Sequence, residues 1–143
     1  MSRNRESILR LHEAANSGDT AVVAQAIDEL AAPDVVIHTP LPFETTGTAL
    51  LKELFARLLH AYPDLHIQIE DLIVDGDRVA SRNTVTGTHL GEHLGVPATG
   101  RSVRYDEVVV MRFADGRIAE SWAVVDVLAQ LRQLGVLGDP MTN

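Results

Sequence analysis

Hydrophobic and polar positions change their period near Pro63, and this change divides the chain into a helical part and a strand-rich part. Before Pro63, apolar residues recur every three or four positions, which is the period of an amphipathic helix. The pattern predicts helices over residues 4–17, 20–31 and 47–61, with a short β-branched strand over residues 34–39. The third helix carries the widest apolar stripe, so we expect it to be a main packing helix.

After Pro63, apolar and polar residues alternate, as in strands that bury one face. The predicted strands cover residues 65–74, 78–89, 102–113 and 117–126, and a short helix follows over residues 127–134. Asp75-Gly76 and Asp115-Gly116 are pairs favoured in two-residue hairpin turns, so these strands should form an antiparallel meander. Helices followed by a meander indicate an α+β fold, with the helices on one face of a curved sheet. No linker interrupts the pattern, so residues 1–143 are predicted to form a single domain.

The last predicted strand carries the most unusual combination of side chains. Its alternation assigns to one face Ile118, Glu120, Trp122, Val124 and Asp126. A face that holds the only tryptophan of the chain and then a carboxylate is typical of a pocket wall with an acid–base group. Asp126 also stands directly before the last helix, where aspartate is a preferred N-cap. Asp126 therefore has two compatible interpretations, a helix cap and a catalytic carboxylate.

Two neighbouring strands supply further candidates for a pocket. Tyr105 and Glu107 share parity with the apolar residues of their strand, so we expect both to face inward. A buried Glu107 needs a hydrogen-bonding partner, which Asn83 or Arg82 on the adjacent strand can supply. Tyr105 and Trp122 are the planar surfaces on which a flat ligand would lie.

His38 is the remaining candidate, in the short strand that ends before Pro40. Its ring either lines the pocket or lies in the core with its nitrogens hydrogen-bonded, and the sequence leaves both interpretations open.

Composition and charge restrict the classes of partner. The net charge of -8 argues against nucleic acid and anionic membranes, since both favour a basic surface. With no cysteine, the chain has no disulfide, thiolate nucleophile or cysteine-ligated zinc. No apolar run approaches the roughly 20 residues that span a bilayer, and the N-terminus has no signal-peptide core. These features favour a cytoplasmic protein with a small-molecule ligand.

The sequence lacks the familiar motifs for metal and cofactor chemistry. The stretch around His89 and His93 reads HLGEH, which is not the HExxH of zinc proteases. The loop GVPATGR lacks the lysine and the helix start of a phosphate-binding loop, and no GxSxG elbow is present. We therefore expect no metal and no cofactor, which leaves proton transfer by a carboxylate.

Four segments resemble one known family. They read VVIHTP at 35–40, YPDLHIQIEDLIVDGDRVASR at 62–82, GTHLGEHLGVPATGR at 87–101 and MRFADGRIAESWAVVDVLAQLRQLG at 111–135. In this order and spacing they resemble the SnoaL-like polyketide cyclase (ester cyclase) family of the NTF2-like superfamily, over about residues 5–137. The resemblance implies an α+β cone, in which a strongly bent antiparallel sheet surrounds a deep pocket closed by the N-terminal helices. It also implies a homodimer or a higher homo-oligomer formed through the outer face of the sheet.

The resemblance implies a chemistry as well. Characterised members close a ring of an aromatic polyketide ester by an intramolecular aldol reaction without metal or cofactor. Their essential aspartate corresponds to Asp126, their strand histidine to His38, and their tryptophan to Trp122. The chain departs from many relatives at Ser121, where they have histidine.

The expected function is therefore a cofactor-free aldol cyclase, with Asp126 as general base and His38 as a proton donor. Asn83, Tyr105 and Arg82 would orient the carbonyl groups of a hydrophobic or aromatic substrate. The superfamily leaves two alternatives, since a shared fold does not determine chemistry. One is another enzyme of this fold, an isomerase or a hydrolase. The other is a protein that binds small hydrophobic ligands without catalysis.

Overall fold

The computed structural model describes residues 3–138, so both ends of the predicted domain lie outside the described residues. The elements in chain order are α1 (Arg3–Asn16), α2 (Thr20–Leu30), β1 (Ala31–His38), α3 (Gly47–Ala61), β2 (His66–Asp75), β3 (Arg78–Thr88), β4 (Ser102–Ala114), β5 (Arg117–Val125) and α4 (Val127–Gln133). Each element predicted from the hydrophobic pattern is present, and the α+β class is confirmed. The structure differs at β1, which begins before Pro33 instead of after it. The ladder is irregular between Ala31 and Val36, and this fits Pro33, which has no N–H to donate.

One curved sheet, which does not close into a barrel, positions the rest of the molecule. Its strands lie in the order β1-β5-β4-β3-β2. The four strands of the meander pair antiparallel, as predicted, and β1 joins the far edge parallel to β5. The helices pack against one face of this sheet and form the core with it. Residues that belong to this core include Ile8, Leu11, Ile27, Phe55, Val79, Val85, Val103, Phe113 and Ile118.

A β-bulge in β5 reverses the side-chain alternation that the sequence predicts. Phe113 pairs with Ile118, but Arg112 pairs with Glu120, so β5 contains one extra residue at this point. Because one extra residue moves all later side chains to the opposite face, Ser121 is buried at 5% exposure and Val124 is 75% exposed. The prediction that Ile118, Glu120, Trp122, Val124 and Asp126 share one face is therefore wrong. After the bulge, the inward residues are Ser121, Ala123 and Val125.

The side chain of Asn16 joins the end of α1 to the edge strand β2. Its Nδ2 donates to the carbonyl oxygen of Ile67 at 3.1 Å, and its Oδ1 accepts from the Ile67 N–H at 2.7 Å. An edge strand leaves such backbone groups without a strand partner, so this side chain supplies the missing one.

Replacing Asn16 with alanine should lower the free energy of unfolding by about 2 kcal/mol, because both backbone groups of Ile67 lose their partner. Urea denaturation measures this difference. Gln25→Ala is the matched control, since its amide makes one long, exposed hydrogen bond to Glu29 at 3.4 Å. Equal losses in the two variants would show that Asn16 does not hold α1 to the sheet.

Candidate active site

A cavity of about 100 Å³ lies between the helices and the inner face of the sheet. Most of its wall is apolar and comes from α3 and the sheet. The apolar lining includes Leu51, Leu54, Phe55, Leu58, Ile67, Val85, Val109, Met111, Ala123 and Val125. Polar side chains enter this wall at His12, His38, His93, Tyr105, Glu107, Ser121 and Gln130. A mostly apolar cavity with few polar groups is the usual form of a small-molecule site.

Glu107 on β4 is the one carboxylate that lines the cavity within residues 3–138. Its Oε1 accepts a hydrogen bond from Asn83 Nδ2 at 3.0 Å. Asn83 lies directly opposite on β3 and is fully buried. Burial raises the pKa of Glu107, and the Asn83 hydrogen bond opposes this by favouring the ionised form. The predicted inward position of Glu107 and its predicted partner Asn83 are both confirmed.

Tyr105 places a phenol on the same face of β4, two residues before Glu107. Its hydroxyl has no hydrogen-bonding partner in the described part of the chain, and its ring is buried against the cavity. Burial raises the pKa of Tyr105, and the nearby Glu107 and Tyr62 raise it further. Tyr105 is therefore a protonated phenol near neutral pH and can donate a hydrogen bond to a ligand.

His12 of α1 brings a neutral imidazole into the cavity wall. Burial lowers its pKa from 6.5 to about 4. The ring is consequently uncharged near neutral pH, which keeps this side of the cavity free of positive charge.

The lowered pKa of His12 has a consequence for stability. The group contributes stability above its ordinary pKa of 6.5, and this contribution is lost as the pH falls through about 4. We expect the loss to reach about 3 kcal/mol, because protonation charges a buried ring. Urea denaturation from pH 7 to pH 3.5 measures it. His12→Leu should lack this loss, while His66→Leu, at an exposed position, should retain it; identical pH profiles for all proteins would contradict the assignment.

Tyr62, Gln130 and His93 form a buried polar group at another part of the wall. The Tyr62 hydroxyl donates to Gln130 Oε1 at 2.9 Å, which leaves the Gln130 amide nitrogen as the donor available to a ligand. The His93 ring lies edge-on to Tyr62 at 5.4 Å between centroids. Burial lowers the pKa of His93, and the neighbouring His89 lowers it further, so this ring too is neutral.

Sequence reasoning missed three of these wall residues, His12, His93 and Gln130. A signal for two of them is present in the chain. His12 falls on the apolar stripe of the first helix, and Gln130 falls among the apolar residues of the last one. A polar residue at a core position of an amphipathic helix indicates either a buried hydrogen bond or a site.

Asp126 lies outside the cavity, at the N-terminus of α4. Its side chain is exposed, and its Oδ1 accepts from the Ala129 N–H at 2.9 Å. Of the two interpretations of Asp126, the structure contains the helix cap. The catalytic interpretation stays a prediction, and it requires a carboxylate that the bulge in β5 directs away from the cavity.

Trp122 and Arg82 also lie on the outer face of the sheet, so their predicted positions in the pocket are wrong. The Trp122 ring stacks on His38 at 5.3 Å between centroids and lies below the Arg78 guanidinium, also at 5.3 Å. Arg82 pairs with the exposed Asp71 at 2.7 Å. The bulge accounts for Trp122, and the alternation of β3 accounts for Arg82, because its neighbour Asn83 occupies the inner face.

His38 lies at the rim of the cavity, half exposed. Its Nε2 is 2.8 Å from Glu120 Oε2, and Glu120 also pairs with Arg112 at 3.3 Å. His38, followed by Arg112, lowers the pKa of Glu120. Of the two interpretations of His38, the structure supports the pocket position, since the ring borders the cavity, and it contradicts a position in the core, since the ring is half exposed.

Within residues 3–138 there is neither a side-chain group able to hold a metal ion nor a helix able to span a membrane. Nowhere in this range do three or more histidine, aspartate or glutamate side chains come together in a group able to hold a metal ion. Across the same range, each helix is too short or too polar to cross a membrane.

Known proteins resemble this chain over almost its whole length. The sequence model of the family described as SnoaL-like polyketide cyclase matches residues 6–134. The chain is 30% identical over 137 residues to aklanonic acid methyl ester cyclase DnrD of Streptomyces peucetius, covering 94% of this chain and 92% of that protein.

Solved structures give the same result. AclR, a candidate hydroxylase from Streptomyces galilaeus, is 33% identical with a TM-score of 0.81, over 95% of this chain and 83% of its own. IdmH, a candidate polyketide cyclase from Streptomyces antibioticus, is 35% identical with a TM-score of 0.74, over 94% of this chain and 100% of its own. These matches confirm the resemblance that the four sequence segments carry.

Proposed function

This chain belongs to the SnoaL-like polyketide cyclase family, and we propose that it closes a ring of an aromatic polyketide ester by a cofactor-free aldol reaction. The observation that carries the proposal is Glu107, a largely buried carboxyl group with a raised pKa in a mostly apolar cavity. The similarity to aklanonic acid methyl ester cyclases supports the substrate class, an ester of a polycyclic aromatic acid.

The reaction begins with removal of an acidic proton from a carbon between two carbonyl groups. Glu107 acts as the general base, and its raised pKa makes it a stronger base than an exposed glutamate. Asn83 holds Oε1, so the other carboxylate oxygen is the one that takes the proton. The substrate carbonyls accept the negative charge as an enolate, which the Tyr105 hydroxyl stabilises by donating a hydrogen bond.

Ring closure follows when the enolate carbon attacks the facing carbonyl carbon of the same molecule. The new carbon–carbon bond leaves an alkoxide, and the protonated Glu107 returns its proton to that oxygen. The base is thereby restored, and atoms and charges balance without a co-reactant. The Gln130 amide nitrogen positions the carbonyl that is attacked, since Tyr62 occupies the amide oxygen. The apolar wall excludes water and holds the two reacting carbons together.

This assignment moves the base from Asp126, the residue implied by family resemblance, to Glu107. What supports the move is position: Glu107 lines the cavity, whereas Asp126 is exposed and caps α4. His38, the proton donor implied by the family resemblance, remains a residue of the cavity rim, and Glu120 fixes its ring through Nε2.

A turnover assay tests the reaction class. The substrate is the methyl ester of a three-ring anthraquinone acid with a ketone side chain, followed by chromatography, absorbance and mass. Aldol closure conserves mass, so we expect a product with the mass of the substrate and a new retention time. A product with one added oxygen would instead favour hydroxylation, the activity for which AclR is a candidate. Tight binding with chemically unchanged ligand would favour a non-catalytic binding protein.

We also propose that two copies of the chain associate through the outer face of the sheet. Val108 and Val124 pair across β4 and β5, with 44% and 75% exposure, and give this face an apolar centre. Val124→Asp should convert a dimer to a monomer, because a dimer would bury the new charge. Light scattering measures the molar mass, with the exposed Val22→Asp in α2 as control. A monomeric wild type, or a Val124→Asp dimer of wild-type affinity, would contradict this interface.

A further inference from the structure

Two spaces lie next to each other on one side of the active site. The inner cavity contains Glu107, and an outer groove of about 660 Å³ lies beside it along α3. Leu41, His93 and Leu94 line both spaces and separate them, and we call these three residues the constriction.

The size of the inner cavity limits what it can hold. A closed apolar cavity of about 150 Å³ is known to take up one benzene ring. The inner cavity, at about 100 Å³, therefore accommodates at most about one ring of a substrate. A three-ring substrate with its reacting ring beside Glu107 must extend through the constriction, and the outer groove is large enough for the rest.

The backbone at the constriction carries an unusual choice of residue. His93 and Val96 exchange both hydrogen bonds, at 3.1 and 2.8 Å, and enclose a two-residue turn. Its central residues, Leu94 and Gly95, have φ of 54° and 79°, as in a type I′ turn. The first of these positions favours asparagine, aspartate or glycine, and a leucine is strained there. The conformation of the turn does not explain why this residue is a leucine. The position of the Leu94 side chain does, because it borders both spaces.

The chemistry of the groove indicates what the outer part of the ligand is. Its apolar lining includes Pro42 and Ala56, and its polar lining includes Glu53, Arg57, His60 and Glu92. Arg57 pairs with Glu53 at 2.8 Å, so these two charges compensate each other, and Glu92 Oε1 accepts a hydrogen bond from the Gly95 N–H at 2.8 Å. This surface fits uncharged fused rings, with polar substituents at the solvent edge.

We propose that the substrate straddles the constriction, with the reacting ring in the inner cavity and the remaining fused rings in the outer groove. The inference rests on the proposed function for the identity of the reacting ring. The occupied groove makes the enzyme selective for flat, elongated polycyclic compounds over single-ring ketones. Leu94 is then a specificity-determining residue at the point where the ligand passes.

Binding of two unreactive probes tests the proposal without catalysis. Acetophenone has one ring, and methyl 9,10-anthraquinone-2-carboxylate has three and no side chain that can close a ring. Calorimetry or equilibrium dialysis gives Kd for each. Ala56→Trp fills the groove from an exposed position of α3, and Ala49→Trp is the matched control on the same helix, outside both spaces.

We expect Ala56→Trp to raise Kd for the three-ring probe by at least about tenfold and to leave Kd for acetophenone within about twofold. Ala49→Trp should leave Kd for both probes unchanged. Leu94→Asn keeps a residue suited to the turn and removes the obstruction, so the three-ring probe should associate several-fold faster. Equal losses for both probes, no effect of Ala56→Trp on the three-ring probe, or no binding of that probe to the wild type would overturn the proposal. These results do not depend on whether Glu107 is the base, so the two proposals fail separately.

Discussion

Replacing Glu107 with glutamine should lower kcat/KM for ring closure by about a thousandfold. A general base contributes roughly 10²–10⁴ in rate, and glutamine keeps the volume and the Asn83 contact but cannot take a proton. A loss of this size corresponds to about 4 kcal/mol of transition-state stabilisation. Initial rates from absorbance, with the product confirmed by chromatography, measure it.

The wild-type pH profile should carry the signature of the same group. Since burial raises the pKa of Glu107 and the base must be ionised, kcat/KM should rise with pH through a value above the ordinary range of a glutamate. The contribution of Glu107 to folding stability changes with pH in the opposite direction to kcat/KM. The contribution of a group with a raised folded pKa is present below its ordinary pKa and is lost as the pH rises through the raised one. Glu107→Gln should therefore be no less stable than the wild type above neutral pH, which separates lost chemistry from lost folding.

Asp126→Asn is the matched control for Glu107→Gln. Asparagine is as good an N-cap as aspartate, so α4 should stay intact. Because Asp126 lies outside the cavity, we expect kcat/KM of the Asp126→Asn variant to be within about threefold of the wild-type value. A thousandfold loss in Asp126→Asn together with an active Glu107→Gln would return the catalytic role to Asp126.

Gly47→Ala should cause one of the largest losses of stability available from a single methyl group. Gly47 begins α3 with φ of +64°, and a Cβ there would lie 2.4 Å from the carbonyl oxygen of Pro33. The cost of the left-handed backbone and the cost of the clash with the main chain add together. We therefore expect a loss of about 3 kcal/mol in the free energy of unfolding. Urea denaturation monitored by circular dichroism measures it.

Gly76→Ala separates the two causes of that loss. Gly76 has a similar φ of +58°, but a Cβ there would meet no atom within 4 Å. This variant should lose only about 1 kcal/mol, the cost of the left-handed backbone alone. Equal losses at both positions would mean that the close contact between α3 and β1 does not constrain the chain.

The hydrophobic pattern predicts most of this fold because its elements are long and strongly periodic. Two-residue turns set the register of β2 against β3 and of β4 against β5. The first turn is Gly76-Asp77 and not the predicted Asp75-Gly76, because Asp75 already pairs with Arg78.

Asn83 and Glu107 lie on β3 and β4, which are joined by the long segment 89–101 and by no short turn. Parity therefore predicts that Glu107 faces inward and needs a partner on the adjacent strand, and it leaves the choice between Asn83 and Arg82 to the tertiary structure. Parity is a local property, and it tolerates small errors in the ends of the strands.

The remaining parts of the site depend on features that local patterns do not contain. No feature of the β5 sequence indicates the extra residue near Ala119, yet that residue determines which face of the sheet Trp122 and Asp126 occupy. For Asp126, the signal is the same whether it caps a helix or lines a pocket, since both require an aspartate at the end of a strand. The contact of Tyr62 with Gln130 joins residues 68 positions apart, so only tertiary packing reveals it.

Exchange of the substrate α-proton with solvent tests the central claim most directly, because it isolates the step assigned to Glu107. The anthraquinone ester would be incubated in D₂O with wild type, Glu107→Gln or Asp126→Asn, and the α-carbon signal followed by NMR before and during ring closure. We predict that wild type and Asp126→Asn accelerate loss of the α-proton, and that Glu107→Gln leaves it at the uncatalysed rate. Rapid exchange with Glu107→Gln would contradict the account, since the proton would then be removed by another group.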